Sequence, residues 1–134
     1  MRIAVGHTSI IDEVPSGRLY KDGTLLVEAD SRTVADRRRL SFAGTISVAL
    51  ALTDKGQLAA DPEVDMIGIP ERDRAGQLIA DAVYDAIEET MESLPRKRRG
   101  DPDAVAESVR RAVRSAVTQA WGKKPMCHVH VLTV

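Results

Sequence analysis

The hydrophobic rhythm of the chain changes several times, and each change marks an element. Residues 1 to 29 hold only short apolar pieces, Ile3 to Val5, Ile10 to Ile11 and Leu25 to Val27, separated by Gly6, by Pro15-Ser16-Gly17 and by Asp22-Gly23. Pieces this short between turn residues predict strands, with a hairpin across Lys21-Asp22-Gly23. They supply too few apolar side chains for a core of their own. Ser31 stands where it would cap a short helix carrying Val34 and Leu40. Beyond Gly44, Ile46, Val48, Leu50 and Leu52 alternate with Thr45, Ser47, Ala49 and Ala51, the period of a strand with one face in a core. Asp54-Lys55-Gly56 predicts a turn. After it comes a partner strand, with Val64 and Met66 on one side and Asp65, Ile67 and Ile69 on the other, stopped by Pro70.

The period then lengthens. Leu78, Ile79, Ala82, Val83, Ala86, Ile87, Met91 and Leu94 fall on one helical stripe, opposite Glu88, Glu89 and Glu92. The run Pro95-Arg96-Lys97-Arg98-Arg99-Gly100 breaks it. Asp101 and Pro102 supply the N-cap and first-turn proline of a second amphipathic helix, with Val105, Val109, Val113 and Val117 along its stripe and Gly122 and Pro125 at its end. Residues 126 to 134 return to a period of two, placing Cys127, Val129 and Val131 on one face and His128 and His130 on the other. From Thr45 onward the order is strand, strand, helix, helix, strand. The expected fold is α/β of the α+β kind: a two-layer sandwich, a three-stranded sheet with two helices on one face, preceded by an irregular or β linker segment.

Composition narrows the function. Lysine and arginine total 19 against 20 acidic residues, so the net charge of -1 gives no global attraction to nucleic acid or to an anionic membrane. Any basic surface must be local. With aromatics at 3%, an aromatic platform for stacking bases is not expected. Cys127 is the only cysteine, which rules out an internal disulfide and suits a reducing cytoplasm. No stretch approaches the roughly 20 apolar residues that a membrane span needs, and no export signal is read at the start of the chain. A cytoplasmic protein without membrane association is expected.

The ending Cys127-His128-Val129-His130 raises the question of a metal. Alternate residues on a strand point the same way, so both imidazoles could face one zinc or manganese ion. Two ligands are not a site, the only other histidine is the distant His7, and Val131 follows His130 where an Asp-His pair would complete a familiar motif. The pair is read as exposed or interface histidines, and Cys127 as a small buried thiol. No Ser-His-Asp set, glycine-rich phosphate loop or CxxC motif appears. No catalytic or metal-binding residue is therefore assigned. The basic runs Arg37, Arg38, Arg39 and Arg96, Lys97, Arg98, Arg99, with Lys123 and Lys124, are candidate contacts to an RNA backbone, weighed against solvated faces as the ordinary outcome.

Three stretches, VPSGRLYKDG, RRRLSFAGTISVALALTDKGQL and GKKPMCHVHVLTV, together resemble the C-terminal part of bacterial ribonuclease J in its alphaproteobacterial form. That family lies in the β-CASP branch of the metallo-β-lactamase superfamily and degrades and matures RNA as a 5′→3′ exonuclease with endonuclease activity. The resemblance spans nearly the whole chain. It implies that residues 1 to about 35 end the β-lactamase domain and its linker, and that residues 36–134 form the small C-terminal α/β domain. The family's metal motif, His-x-His-x-Asp-His, has no copy here, so no site residue is carried over, and zinc or manganese is expected only in the full-length parent. The resemblance further implies a homodimer, contact with the catalytic domains of the same polypeptide, and RNA as a partner of the whole enzyme.

Three readings follow. The preferred one is a non-catalytic domain that supports dimerisation and activity of the catalytic core, with Thr45, Ser47, Ala49, His128 and His130 on an open sheet face as interface candidates. The second is a free-standing RNA-binding module using the arginine runs. The third is a small metal-dependent hydrolase built on His128 and His130.

Overall fold

The computed structural model describes residues 4–5, 8–14 and 17–134, with side chains from residue 18 onward. It divides into two compact units, residues 1–39 and 40–134. In the first, β1 (Ala4–Val5), β2 (Thr8–Val14), β3 (Gly17–Asp22) and β4 (Leu25–Glu28) form an antiparallel meander in that order. The hairpin read across Lys21-Asp22-Gly23 is present: Asp22 pairs with Leu25, and Gly23 turns the chain at φ +63°, a left-handed conformation open to glycine without steric penalty. The segment expected to be irregular or β is thus an antiparallel sheet, with a register shift between Ile10 and Asp12. Ile3, Gly6, His7 and the Pro15-Ser16 turn lie outside the described residues.

Helix α1 (Arg32–Ala43) is longer than the short helix expected. Its start also corrects the sequence reading. The Ser31 carbonyl accepts from Ala35 N at 3.1 Å, but its hydroxyl is shielded and bonds to nothing described, so Ser31 is no side-chain cap and backbone alone holds the first turn.

The second unit contains β5 (Thr45–Leu52), β6 (Glu63–Ile67), α2 (Ile79–Ser93), α3 (Arg96–Arg99), α4 (Pro102–Trp121) and β7 (Met126–Thr133). The sheet order is β6-β5-β7, with β6 antiparallel and β7 parallel to β5. A parallel pair needs a long crossover, and α2, α3 and α4 provide it. The alternation along β5 is realised in full: Ile46, Val48, Leu50 and Leu52 are buried against Ile79, Val83, Ile87 and Met91 of α2 and Val105, Val109, Val113 and Val117 of α4. Among the described residues no polar or charged residue is buried. The core is therefore aliphatic, as a composition nearly free of aromatics requires. The two-layer α/β sandwich with both helices on one face is the observed architecture.

Both glycines that flank β5 are there for space. A Cβ on Gly44 (φ +69°) would collide with the carbonyls of Ile67 and Gly68, and one on Gly56 (φ +78°) with the backbone of Arg99. Asp101 caps α4 as expected, accepting from Asp103 N at 3.1 Å and Ala104 N at 3.4 Å, and Gly122 closes the helix at φ +87°. The Pro95–Gly100 run is more than a break. It contains α3, and Arg99 folds back so that its Nε donates to Leu94 O at 2.8 Å and its Nη2 to Glu92 O at 3.0 Å. Those carbonyls at the end of α2 would otherwise lack intrahelical partners.

Candidate interaction surfaces

With both helices on one side, the other face of the sheet is open. Register sets what it carries. Asp65, Ser47 and His128 stand in one row across β6, β5 and β7, and Glu63, Ala49 and His130 in the next. Acids line one edge, imidazoles the other, and small side chains lie between. Ser47, Ala49, His128 and His130 are exposed and Thr45 half-buried, so these interface candidates share one face. A shallow trough of about 290 Å³ follows it between Glu63, Asp65 and His130. Ile67 (62% exposed) and Leu132 (67%) flank the trough on the same face.

The two histidines do not assemble a metal centre with their neighbours. The acids in their rows are two strands away, about 10 Å between Cα atoms, and among the described residues no group of three or more His, Cys, Asp or Glu side chains could hold a metal ion. The zinc or manganese implied by the family resemblance does not fit the residues described here. Cys127 points the other way, into the core. Burial pushes its thiol up to about 11, only partly opposed by the nearby guanidiniums of Arg110 and Arg114, so it stays protonated and is a poor nucleophile at neutral pH.

The basic runs separate into engaged and exposed side chains. Arg37 pairs with Asp22 at 2.7 Å, which raises its affinity for its proton through a hydrogen bond and direct charge attraction. Arg99 is committed to the end of α2. Lys123 donates to Phe42 O at 3.0 Å and sits over the Phe42 ring at 4.4 Å and the Trp121 ring at 5.3 Å, a cation–π arrangement. Arg38, Arg39, Arg96, Lys97, Arg98 and Lys124 are exposed. Of these, Lys124 is grouped with cations that lie outside the basic runs: it lines a groove with Arg110, Arg111 and Arg114 of α4. The signal for them was charge patterning, because no acidic residue follows Glu107.

These features define a small two-layer α/β domain whose exposed chemistry is arranged on a sheet face and a helix face. The chain belongs to the ribonuclease J C-terminal domain family, whose family model matches residues 32–134. It is 45% identical over 134 residues to ribonuclease J of Sinorhizobium meliloti, a match covering all of this chain and 24% of that protein. Ribonuclease J of Corynebacterium glutamicum is 28% identical over 122 residues, 90% of this chain and 17% of that protein. Ribonuclease J of Mycobacterium tuberculosis strain H37Rv is 28% identical over 132 residues, 98% of this chain and 23% of that protein. The chain thus spans about a quarter or less of these relatives. No described helix is long and apolar enough to cross a membrane.

Proposed function

We propose that this chain is a non-catalytic accessory domain of a cytoplasmic ribonuclease J, and that its open sheet face holds two copies together. In this reading the nuclease centre, with its zinc or manganese, lies in the rest of the polypeptide, which processes and degrades RNA from the 5′ end and internally. Residues 1 to about 35 then belong to the preceding catalytic domain and its linker.

The observation that carries the assembly role is the self-complementarity of the face. A twofold axis along β5 brings β6 of one copy over β7 of the other. Glu63 and Asp65 then oppose His128 and His130 twice, while Ser47 and Ala49 let the two sheets approach at the centre. Such an isologous arrangement is the usual route to a dimer, and its charge pattern favours this register over a shifted one.

Mass in solution, measured by light scattering, tests the reading. The expected result is twice the chain mass, falling to the monomer in Ala49→Arg, which blocks the centre without touching the core. Glu63→Lys/Asp65→Lys and His128→Glu/His130→Glu should each be monomeric alone and pair when mixed. A monomer at all accessible concentrations, or a dimer indifferent to Ala49→Arg, sinks the assignment of this face.

A further inference from the structure

The last acidic residue in the chain is Glu107, and residues 108–134 contain Arg110, Arg111, Arg114, Lys123 and Lys124 with no negative side chain. Four of these cations, Arg110, Arg111, Arg114 and Lys124, line one groove of about 320 Å³ that also includes Ser115 and Gln119. The groove runs along α4 from Arg110 to Gln119, beside the chain that enters β7.

Its charge is not cancelled locally. One carboxylate, Glu107, accepts Nε and Nη2 of Arg110 at 2.9 and 2.8 Å and Nε of Arg111 at 2.8 Å. That offsets one guanidinium of the two. Arg114 has a further feature: its Nε is shielded from solvent and has no hydrogen-bond partner among the described residues. A shielded donor without an acceptor is uncommon in folded proteins, and an anionic acceptor makes the stronger kind of hydrogen bond with a guanidinium.

The shape of the array selects the ligand. Arg110 and Arg114 are one turn apart, about 6 Å along the helix axis, and Lys124 extends the line beyond the helix end. Cations in a line suit an anion that repeats along a chain better than a single small anion. No aromatic side chain lines the groove, so it offers contacts to phosphates and no platform for bases.

We infer that the α4 groove binds the phosphodiester backbone of single-stranded RNA without reading its sequence. The choice of RNA rests on the family reading above; the site lies on the helix layer, and of its cations Arg110 also borders the sheet edge that carries His128 and His130, whereas Arg111, Arg114 and Lys124 do not. It also differs from the arginine runs that the motifs suggested. Arg96, Lys97 and Arg98 follow an acidic helix and are exposed around a four-residue turn, whereas the α4 cations share one concave surface.

The test is binding of a fluorescein-labelled 15-nucleotide oligouridylate to the 134-residue chain, followed by anisotropy at 50 and 200 mM KCl. Arg111→Glu/Arg114→Glu is expected to weaken binding at least tenfold at 50 mM and to flatten the salt dependence, by about 0.7 in log–log slope for each phosphate that the protein no longer neutralises. Ser115→Glu, which puts a carboxylate on the exposed rim and removes no packing group, should weaken it in the same direction, with folding checked by circular dichroism. Arg96→Glu/Lys97→Glu/Arg98→Glu should stay within threefold of the parent. The inference is overturned if the parent does not bind at 50 mM, or if the α3 variant is weakened as much as the α4 variants. It is equally overturned if poly-glutamate displaces the oligonucleotide as well as unlabelled RNA does, which would make the groove a site for an acidic protein. Displacement by inorganic phosphate at matched phosphate concentration would make it a single-anion site and also overturn it. Ala49→Arg should leave RNA affinity unchanged, so failure of the dimer reading does not touch this result.

Discussion

Helices α2 and α4 lie side by side on one sheet, and each buries four aliphatic side chains at four-residue spacing: Ile79, Val83, Ile87 and Met91 on one, Val105, Val109, Val113 and Val117 on the other. Outside, they are opposites. α2 carries Asp81, Asp85, Glu88, Glu89 and Glu92 and no basic residue, while α4 beyond Glu107 carries only basic charge. Their ends differ too. Asp101 and Gly122 cap α4, whereas Leu78 gives α2 no side-chain cap, and its C-terminal carbonyls depend on Arg99. The apolar stripe therefore fixes where a helix sits and leaves its outer charge free. On α2 the late glutamates oppose the helix dipole, and Arg99 of α3 serves stability there by donating to the last carbonyls. On α4 no comparable structural demand accounts for three arginines around one groove.

If the inner rule is common to both helices, equivalent cuts should hurt both. Val113→Asp places a carboxylate in the aliphatic core and is expected to abolish cooperative thermal unfolding, a loss beyond about 4 kcal/mol. Ile87→Ala on α2 is expected to cost about 2–5 kcal/mol in urea titrations. A Val113→Asp protein that still melts cooperatively near the parent temperature would remove α4 from the core and break its parallel with α2.

The join between α2 and α3 comes next. Gly56→Ala must adopt φ +78° and push its methyl into the Arg99 backbone, for an expected loss of more than about 2 kcal/mol. Arg99→Ala frees the carbonyls of Glu92 and Leu94, for about 1–2 kcal/mol after allowing for their partial exposure. Arg98→Ala, one residue away on the exposed side, should change stability by less than about 0.5 kcal/mol. Equal losses for Arg98 and Arg99 would contradict the division of the run into a structural arginine and solvated ones.

How much of this was readable from the sequence follows the physics of each feature. Periodicity is local, so the alternation in Thr45–Leu52 and the valine stripe of α4 were enough to predict the sandwich. Capping by Asp101 was equally legible, because cap, proline and stripe are adjacent. The engagement of Lys123 with Phe42 spans 81 residues, and that of Arg99 depends on a backward fold of its own side chain; neither leaves a local signature. The rows Asp65-Ser47-His128 and Glu63-Ala49-His130 required the parallel register of β5 and β7, which no single strand encodes. Ser31 failed as a cap because a preferred residue type at the right position does not dictate where its hydroxyl points. Arg110, Arg111 and Arg114 were missed for another reason: they sit singly and in a pair within a helix, where a search for consecutive basic residues does not find them.

The ends of the two helices give a smaller effect. Asp101→Ala removes the acceptor for Asp103 N and Ala104 N and is expected to cost about 1 kcal/mol, with faster amide exchange confined to the first turn of α4. α2, which begins at Ile79 and has Leu78 at its cap position with no side-chain acceptor, should exchange its first-turn amides faster than α4 in the parent protein. Asp101→Ala leaving α4 exchange unchanged would mean that Pro102 and packing suffice there.

The smallest effect on stability, and the most direct probe of outer charge, belongs to Glu107. Its hydrogen bonds from Arg110 and Arg111 hold the carboxyl down at about 2, below its ordinary 4.5. A depressed folded value means a contribution that is present above about pH 4.5 and lost as the pH falls toward 2. The parent should therefore lose stability relative to Glu107→Gln across that window and run parallel to it above pH 5, as read by urea midpoints at each pH. Because the carboxylate is solvent-exposed, the difference should be small and should shrink further in high salt. The same substitution removes the one negative charge that offsets the α4 cations, so at neutral pH and 50 mM KCl it should bind oligouridylate severalfold more tightly than the parent. Unchanged affinity would show that Arg110 and Arg111 contribute no charge to the groove and would leave Arg114 and Lys124 to act alone.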